Sequence, residues 1–175
     1  MGVHMAAAMR KAGGFSALAV LVFIMVLAIG SASVRIALER ARQDRCARNL
    51  RRIYSWLEMY EIDRGTLPHL AMFPDEPRHD HDSLVTVLQA YGSGDDTFLC
   101  PAEPADLRQE GLTYLWNVQL NGKTLRSPKE PTWMLVEINA LSQTVPAPHF
   151  GAYNILYTDG QVRREREPPL ALREP

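Results

Sequence analysis

Cysteine is scarce in this chain: Cys46 and Cys100 are its two examples. Two are too few for a disulfide-rich miniature scaffold or a four-cysteine zinc module. Catalytic signatures are missing as well. There is no G-x-S-x-G, no H-E-x-x-H and no phosphate-cradling glycine loop, so the sequence is read as non-enzymatic. Apolar runs of membrane length are few, and the single one present excludes a polytopic membrane protein. Hydrophobic residues at 46% and charged residues at 22% of the 175 exclude wholesale disorder and a collagen-like chain. The net charge of −1 conceals a split: residues 1–34 carry +2, residues 35–52 carry +5, and the remainder carries −8. An acidic body of this kind is a poor partner for nucleic acid, and none is expected.

What is present begins with a stretch from Ala12 to Val34 without a charged residue, most of it apolar from Phe15 to Ile29. Twenty such residues in a helix span a hydrocarbon core about 30 Å thick. The run reads as an anchor or a targeting segment. Three fates stay open: an uncleaved anchor, a secretory signal cut after Ala32 in the small-residue stretch Gly30-Ser31-Ala32, or a leader cut between Gly14 and Phe15. Arg10 and Lys11 favour a cytoplasmic N-terminus with the body exported, although more arginines follow the run than precede it.

No glycine or proline interrupts residues 31–64. Cys46, Leu50, Ile53, Leu57 and Tyr60 recur at three-four spacing and form one apolar stripe, with the arginines at 42, 45, 48, 51 and 52 mostly off it. Gly65 and Pro68 stop the helix. The spacing therefore predicts one helix of about 45–50 residues, transmembrane over 15–34 and amphipathic over 35–64, near 70 Å long at its rise per residue. The arginine run reads as a solvated face, or as a contact for anionic head groups or acidic neighbouring subunits. Beyond a loop at 67–81, a short helix is expected after Asp82 or Ser83, and a brief extended piece at Thr97–Cys100. Strands are expected at Thr113–Val118, Thr132–Ile138 and Tyr153–Tyr157. Asn121-Gly122 marks a turn, and Asp159-Gly160 marks a hairpin leading to Gln161-Val162-Arg163. From residue 164 onward, charge and proline predict a disordered tail. The plan is α+β, with a globular head over 65–163 whose small antiparallel sheet covers the amphipathic half of the helix.

Several strings in this order resemble the type IV pilin-like proteins, and most nearly the pseudopilin-like proteins of type II secretion. These carry a prepilin-type N-terminal segment and a C-terminal H-x9-D-G signature. Arg10-Lys11-Ala12-Gly13-Gly14-Phe15 is similar to a prepilin peptidase site. Cys46-Ala47-Arg48-Asn49-Leu50-Arg51-Arg52-Ile53 is similar to C-x-x-N-L-x-x-I. Phe98-Leu99-Cys100-Pro101 is similar to the family's cysteine-proline element. His149 with Asp159-Gly160 supplies the final signature. The resemblance implies a basic leader over 1–14, cleavage after Gly14 and N-methylation at Phe15. It implies a bacterial inner-membrane protein crossing once, with its head periplasmic or extracellular. The implied partners are the membrane, the prepilin peptidase and other pilin-like subunits met through the N-terminal helix. One departure stands out: the family's glutamate five residues into the mature chain is Ala19 here. A carboxylate in hydrocarbon persists only when paired, so its loss removes an assembly contact and fits a minor or tip subunit. The alternative is a monomeric membrane-anchored or secreted binding module with the same head.

Candidate chemistry is sparse. In an oxidising compartment Cys46 and Cys100 can form a disulfide closing a loop of about 55 residues, which chain entropy values at about 4 kcal/mol. The other state is two buried thiols packed as small hydrophobes. His79, Asp80, His81 and Asp82 are candidate ligands for a divalent metal, and Asp95 and Asp96 for calcium, but the loop reads first as solvated and no cofactor is expected. His149 and Asp159 read as a structural pair around the hairpin rather than as an acid–base couple.

Overall fold

A computed structural model describes residues 17–92, 94–142 and 144–172 of the chain. The leader and the Gly14–Phe15 junction lie outside the described residues, as do residues 173–175 of the expected tail. The first element is a long helix, α1 (Ala17–Arg64). It ends as its sequence predicts. Gly65 adopts a left-handed φ of 82° and its N–H reaches back to the Glu61 carbonyl at 2.7 Å.

The chain divides into two units between Ala37 and Leu38. In the first, the described residues are helical and their side chains are exposed, including Leu18, Phe23, Met25 and Ile29. This part of α1 is long and apolar enough to cross a membrane, by length and composition.

The second unit holds the rest. Cys46, Leu50, Ile53 and Leu57 are fully buried along α1, while Tyr60, the fifth member of the expected stripe, is half-buried. Four strands follow: β1 (Tyr114–Trp116), β2 (Trp133–Glu137), β3 (Tyr153–Tyr157) and β4 (Val162–Glu165). They form one antiparallel meander in chain order. Alternation along β1 sends Tyr114 and Trp116 into the core containing the α1 stripe. It sends Leu115 into a second core with Val136, Tyr153 and Ile155. Both sheet faces are therefore covered, which is why β1, β2 and β3 are apolar almost without break, while the edge strand β4 is charged. Each fully buried leucine or isoleucine contributes about 1.5–3 kcal/mol.

Ser83 caps the short helix α2 (Leu84–Leu88) by accepting the Val85 N–H at 3.2 Å. The Asp-Gly hairpin forms as a three-residue loop, Thr158-Asp159-Gly160, with the Gly160 N–H on the Tyr157 carbonyl and φ 77° at Gly160. A Cβ on Gly160 would also lie 2.9 Å from the Tyr54 ring of α1. Gly160→Ala is therefore expected to destabilise the fold by about 1–2 kcal/mol, read as a shift in denaturation midpoint at unchanged m-value.

Two expectations are corrected and one element is added. Thr97–Cys100 is not extended throughout: a 3₁₀ turn covers Asp95–Phe98 and extended backbone starts at Leu99. The Asn49 side-chain amide explains the turn, since it donates to the carbonyls of Asp96 at 3.0 Å and Leu99 at 2.9 Å. The head does not end at residue 163. Arg164 and Glu165 belong to β4 and pair with Asn154 and Tyr153, and a 3₁₀ turn follows at Leu170–Leu172. Last, the polar segment before β1 contains an unforeseen helix, α3 (Ala105–Gln109).

Candidate functional site

The C-x-x-N-L-x-x-I string places Cys46 midway along the amphipathic part of α1, on its buried side. Cys100 leaves the 3₁₀ turn just before Pro101. Its N–H donates to Thr113 Oγ1 at 2.6 Å, and the Thr113 N–H binds the Phe98 carbonyl, so the turn is tied to the start of β1. Glu137 ends β2 and is wholly buried. The Asn154 N–H of β3 donates to both its carboxylate oxygens, at 3.1 and 2.8 Å.

His149 stands just before β3, ahead of an unusual turn. Phe150 and Gly151 both adopt left-handed φ, 53° and 72°. That conformation strains a bulky residue such as Phe150 by about 1–3 kcal/mol. The turn lets the His149 N–H reach the Ala152 carbonyl at 3.1 Å. Arg164 of β4 donates to the His149 carbonyl at 2.7 Å, which fixes the backbone behind the imidazole.

These elements bring four chemical groups together. The Cys46 thiol donates to Glu137 Oε1 at 3.1 Å and lies 3.4 Å from the Tyr114 hydroxyl. His149 Nε2 lies 3.3 Å from Cys100 Sγ and 3.2 Å from Glu137 Oε1. The two sulfurs, the carboxylate and the imidazole all fall within 4.8 Å of one another, and all four residues are buried. On the far side of the ring, Glu39 Oε1 stands 3.5 Å from His149 Nδ1. That is ion-pair reach without hydrogen-bond alignment, and neither atom has a hydrogen-bond partner.

The electrostatics follow from burial. Desolvation, then the neighbouring Cys100 thiol, push the Cys46 thiol well above its usual range. For His149 burial opposes the charged form, but hydrogen bonds to Cys46 and Glu137 outweigh it and carry the pKa up to about 10. Glu103, three residues beyond Cys100 and also buried, is raised to about 7 by burial and then by the Glu137 charge.

The sequence-predicted residues fare unevenly. Cys46, Cys100 and His149 meet in one place. Of the two states left open for the cysteines, the structure has buried free thiols, with the sulfurs engaged by Glu137 and His149 rather than by each other covalently. Asp159 is engaged elsewhere: it accepts the Gln161 N–H at 3.0 Å and pairs with Arg163 at 2.7 Å. His149 and Asp159 thus form no couple, and Gly160 serves the turn. His79 and His81 are exposed, and Asp80 accepts the Glu76 N–H at 2.8 Å. Among the described residues, His79, Asp80, His81 and Asp82 bring no ligand set together. Asp96 pairs with Arg45 at 2.9 Å, and the Asp95 side chain lies outside what is described.

Glu137 and Glu39 were missed by the sequence reading. Glu137 carried a signal, a lone carboxylate closing the strand-like run TWMLVEI; Glu39 is hidden among arginines. A groove of about 710 Å³ lies beside Tyr54, Glu58, Glu61, Leu125 and Asp159. It is open to solvent and holds no converging ligand set among the described residues. No protein-family profile, curated protein or solved structure matches the chain.

Proposed function

We propose that this protein is a structural, non-enzymatic subunit of a type II secretion or type IV pilus-like assembly, held in a bacterial inner membrane by the first part of α1. One observation carries the reading. The same helix presents exposed, uncharged apolar side chains over residues 17–34 and, from Cys46 to Leu57, an apolar stripe buried under a four-stranded antiparallel sheet. Apolar side chains exposed along five turns of helix need lipid or other apolar helices around them. Subunits of this kind satisfy that need twice, in the membrane before assembly and in a helix bundle afterwards. The head then faces the periplasm or the exterior, and the exposed arginines of α1 face head groups or neighbouring heads.

Ala19 in place of the glutamate fits a minor or tip position better than the repeating one. The mature N-terminus tests the reading. Mass spectrometry of the protein from its native host is expected to find a chain beginning at N-methylated Phe15. Gly14→Trp is expected to leave the leader attached. A chain beginning at Ser33, or an intact N-terminus on the wild type, overturns the pilin-like reading in favour of a secreted or simply anchored binding module.

A further inference from the structure

The geometry points to a zinc site: we propose that Cys46, Cys100, His149 and Glu137 coordinate one Zn²⁺ inside the head as a closed, structural centre. The ligand set suits the ion. Two thiolates, one imidazole and one carboxylate are soft-to-borderline donors in the number that structural zinc takes, and a redox-inert ion of no geometric preference accepts the mixture.

The spacing suits it too. Arms of about 2.0–2.3 Å in a tetrahedron put neighbouring ligand atoms about 3.3–3.8 Å apart. The contacts Cys46 Sγ–Glu137 Oε1, His149 Nε2–Glu137 Oε1 and Cys100 Sγ–His149 Nε2 are 3.1, 3.2 and 3.3 Å. All four residues are buried, so the coordination sphere is completed by protein, and no position is left for a substrate or water.

A second, independent observation lies in the surroundings. Among the described residues, buried side-chain atoms without a hydrogen-bond partner include His149 Nδ1, Glu39 Oε1 and both carboxylate oxygens of Glu103. Three residues of one small region thus hold desolvated polar atoms that the protein alone leaves unsatisfied, an arrangement that a dication at its centre offsets. Glu39 takes the place of the outer carboxylate in a carboxylate–histidine–zinc relay. Its Oε1, 3.5 Å from Nδ1, is placed to accept the Nδ1 N–H once the ring is drawn onto the metal, which would hold Nε2 as the ligating nitrogen. The Tyr114 hydroxyl, 3.4 Å from Cys46 Sγ, donates to that thiolate.

On binding, both thiol protons and the Nε2 proton of His149 leave to solvent, so that two thiolates and a neutral imidazole coordinate the ion. Zinc then ties the middle of α1 to the Cys100 turn, the end of β2 and the entrance to β3, by coordination in place of a disulfide.

The test uses the full chain in detergent, first stripped with a chelator under reducing conditions and then titrated with zinc alone. The expected result is one zinc per chain, two thiols protected from alkylation, and a raised melting temperature. With Co²⁺ in place of zinc, thiolate-to-metal charge transfer and intense tetrahedral ligand-field bands are expected. Glu39→Gln, at a partly exposed position outside the ligand set, is expected to keep the far-ultraviolet circular dichroism of the wild type and to bind zinc about 10–100-fold more weakly. A chain that takes up no zinc, a cobalt spectrum without thiolate bands, or a native chain two hydrogens lighter with Cys46 bridged to Cys100 would overturn the proposal. Unchanged affinity in Glu39→Gln overturns the relay.

Discussion

Glu137→Ala is expected to destabilise the head by about 3–5 kcal/mol, because removing one member of a buried charged pair strands the other. The carboxylate is wholly buried and is the shared acceptor of the centre. It takes the Cys46 thiol, the Asn154 N–H twice, and His149 Nε2. Its loss leaves an imidazole, a thiol and a backbone N–H desolvated together, and a cavity where the carboxylate stood. Glu137→Gln keeps the volume and an acceptor oxygen, so it should lose less than half as much. Chemical denaturation of the full chain in detergent, followed by tryptophan fluorescence, gives both values. A loss under about 1 kcal/mol for the alanine variant would mean that these groups are solvated in the folded head.

Gly92→Ala is the second large effect. Gly92 follows α2, and its N–H returns to the Leu88 carbonyl at 3.2 Å. A Cβ there would fall 2.0 Å from Cε2 of Trp56, a ring buried in the main core and packed on Phe98 at a centroid distance of 5.7 Å. The added methyl group cannot be absorbed by the far end of a flexible side chain, so either the indole or the α2 terminus must move. Over-packing of this kind costs about 3 kcal/mol and lowers the melting temperature by about 10 °C in a head of this size. Trp56→Leu makes room. In a double-mutant cycle the alanine should cost far less in the Trp56→Leu background than in the wild type. Strict additivity of the two losses would show that the close approach is not their cause.

The parts of the fold legible in the sequence are those set by local periodicity. The stripe from Cys46 to Leu57 predicted which side of the helix is buried, and Gly65 predicted its end. The β-branched and aromatic runs predicted three strands, and Asp159-Gly160 the hairpin into the fourth. What escaped depends on contacts between distant segments. Asn49 is a polar residue on a helix, and nothing local says that its amide will shape the turn at Asp96–Leu99. Arg164 and Glu165 read as tail because charge usually means solvent. In the fold, Arg164 holds the His149 carbonyl, and Glu165 accepts the Tyr157 hydroxyl at 2.6 Å. Three of the four groups of the buried centre were legible, since Cys46, Cys100 and His149 were each singled out. Their convergence was not, because it depends on how β2 and β3 are aligned beneath the helix.

The sheet is a meander whose strands each pair with their chain neighbours, so its ladders can close early and locally. The centre obeys the opposite logic: Cys46 meets Glu137 across 91 positions, and the carbonyl of His149 is secured by Arg164. A nascent chain delivered from its N-terminus therefore carries two bare thiols until residues 137–164 have followed. For that interval they are open to oxidation or to a wrong partner, and the pace at which the chain is delivered decides which chemistry reaches the sulfurs first.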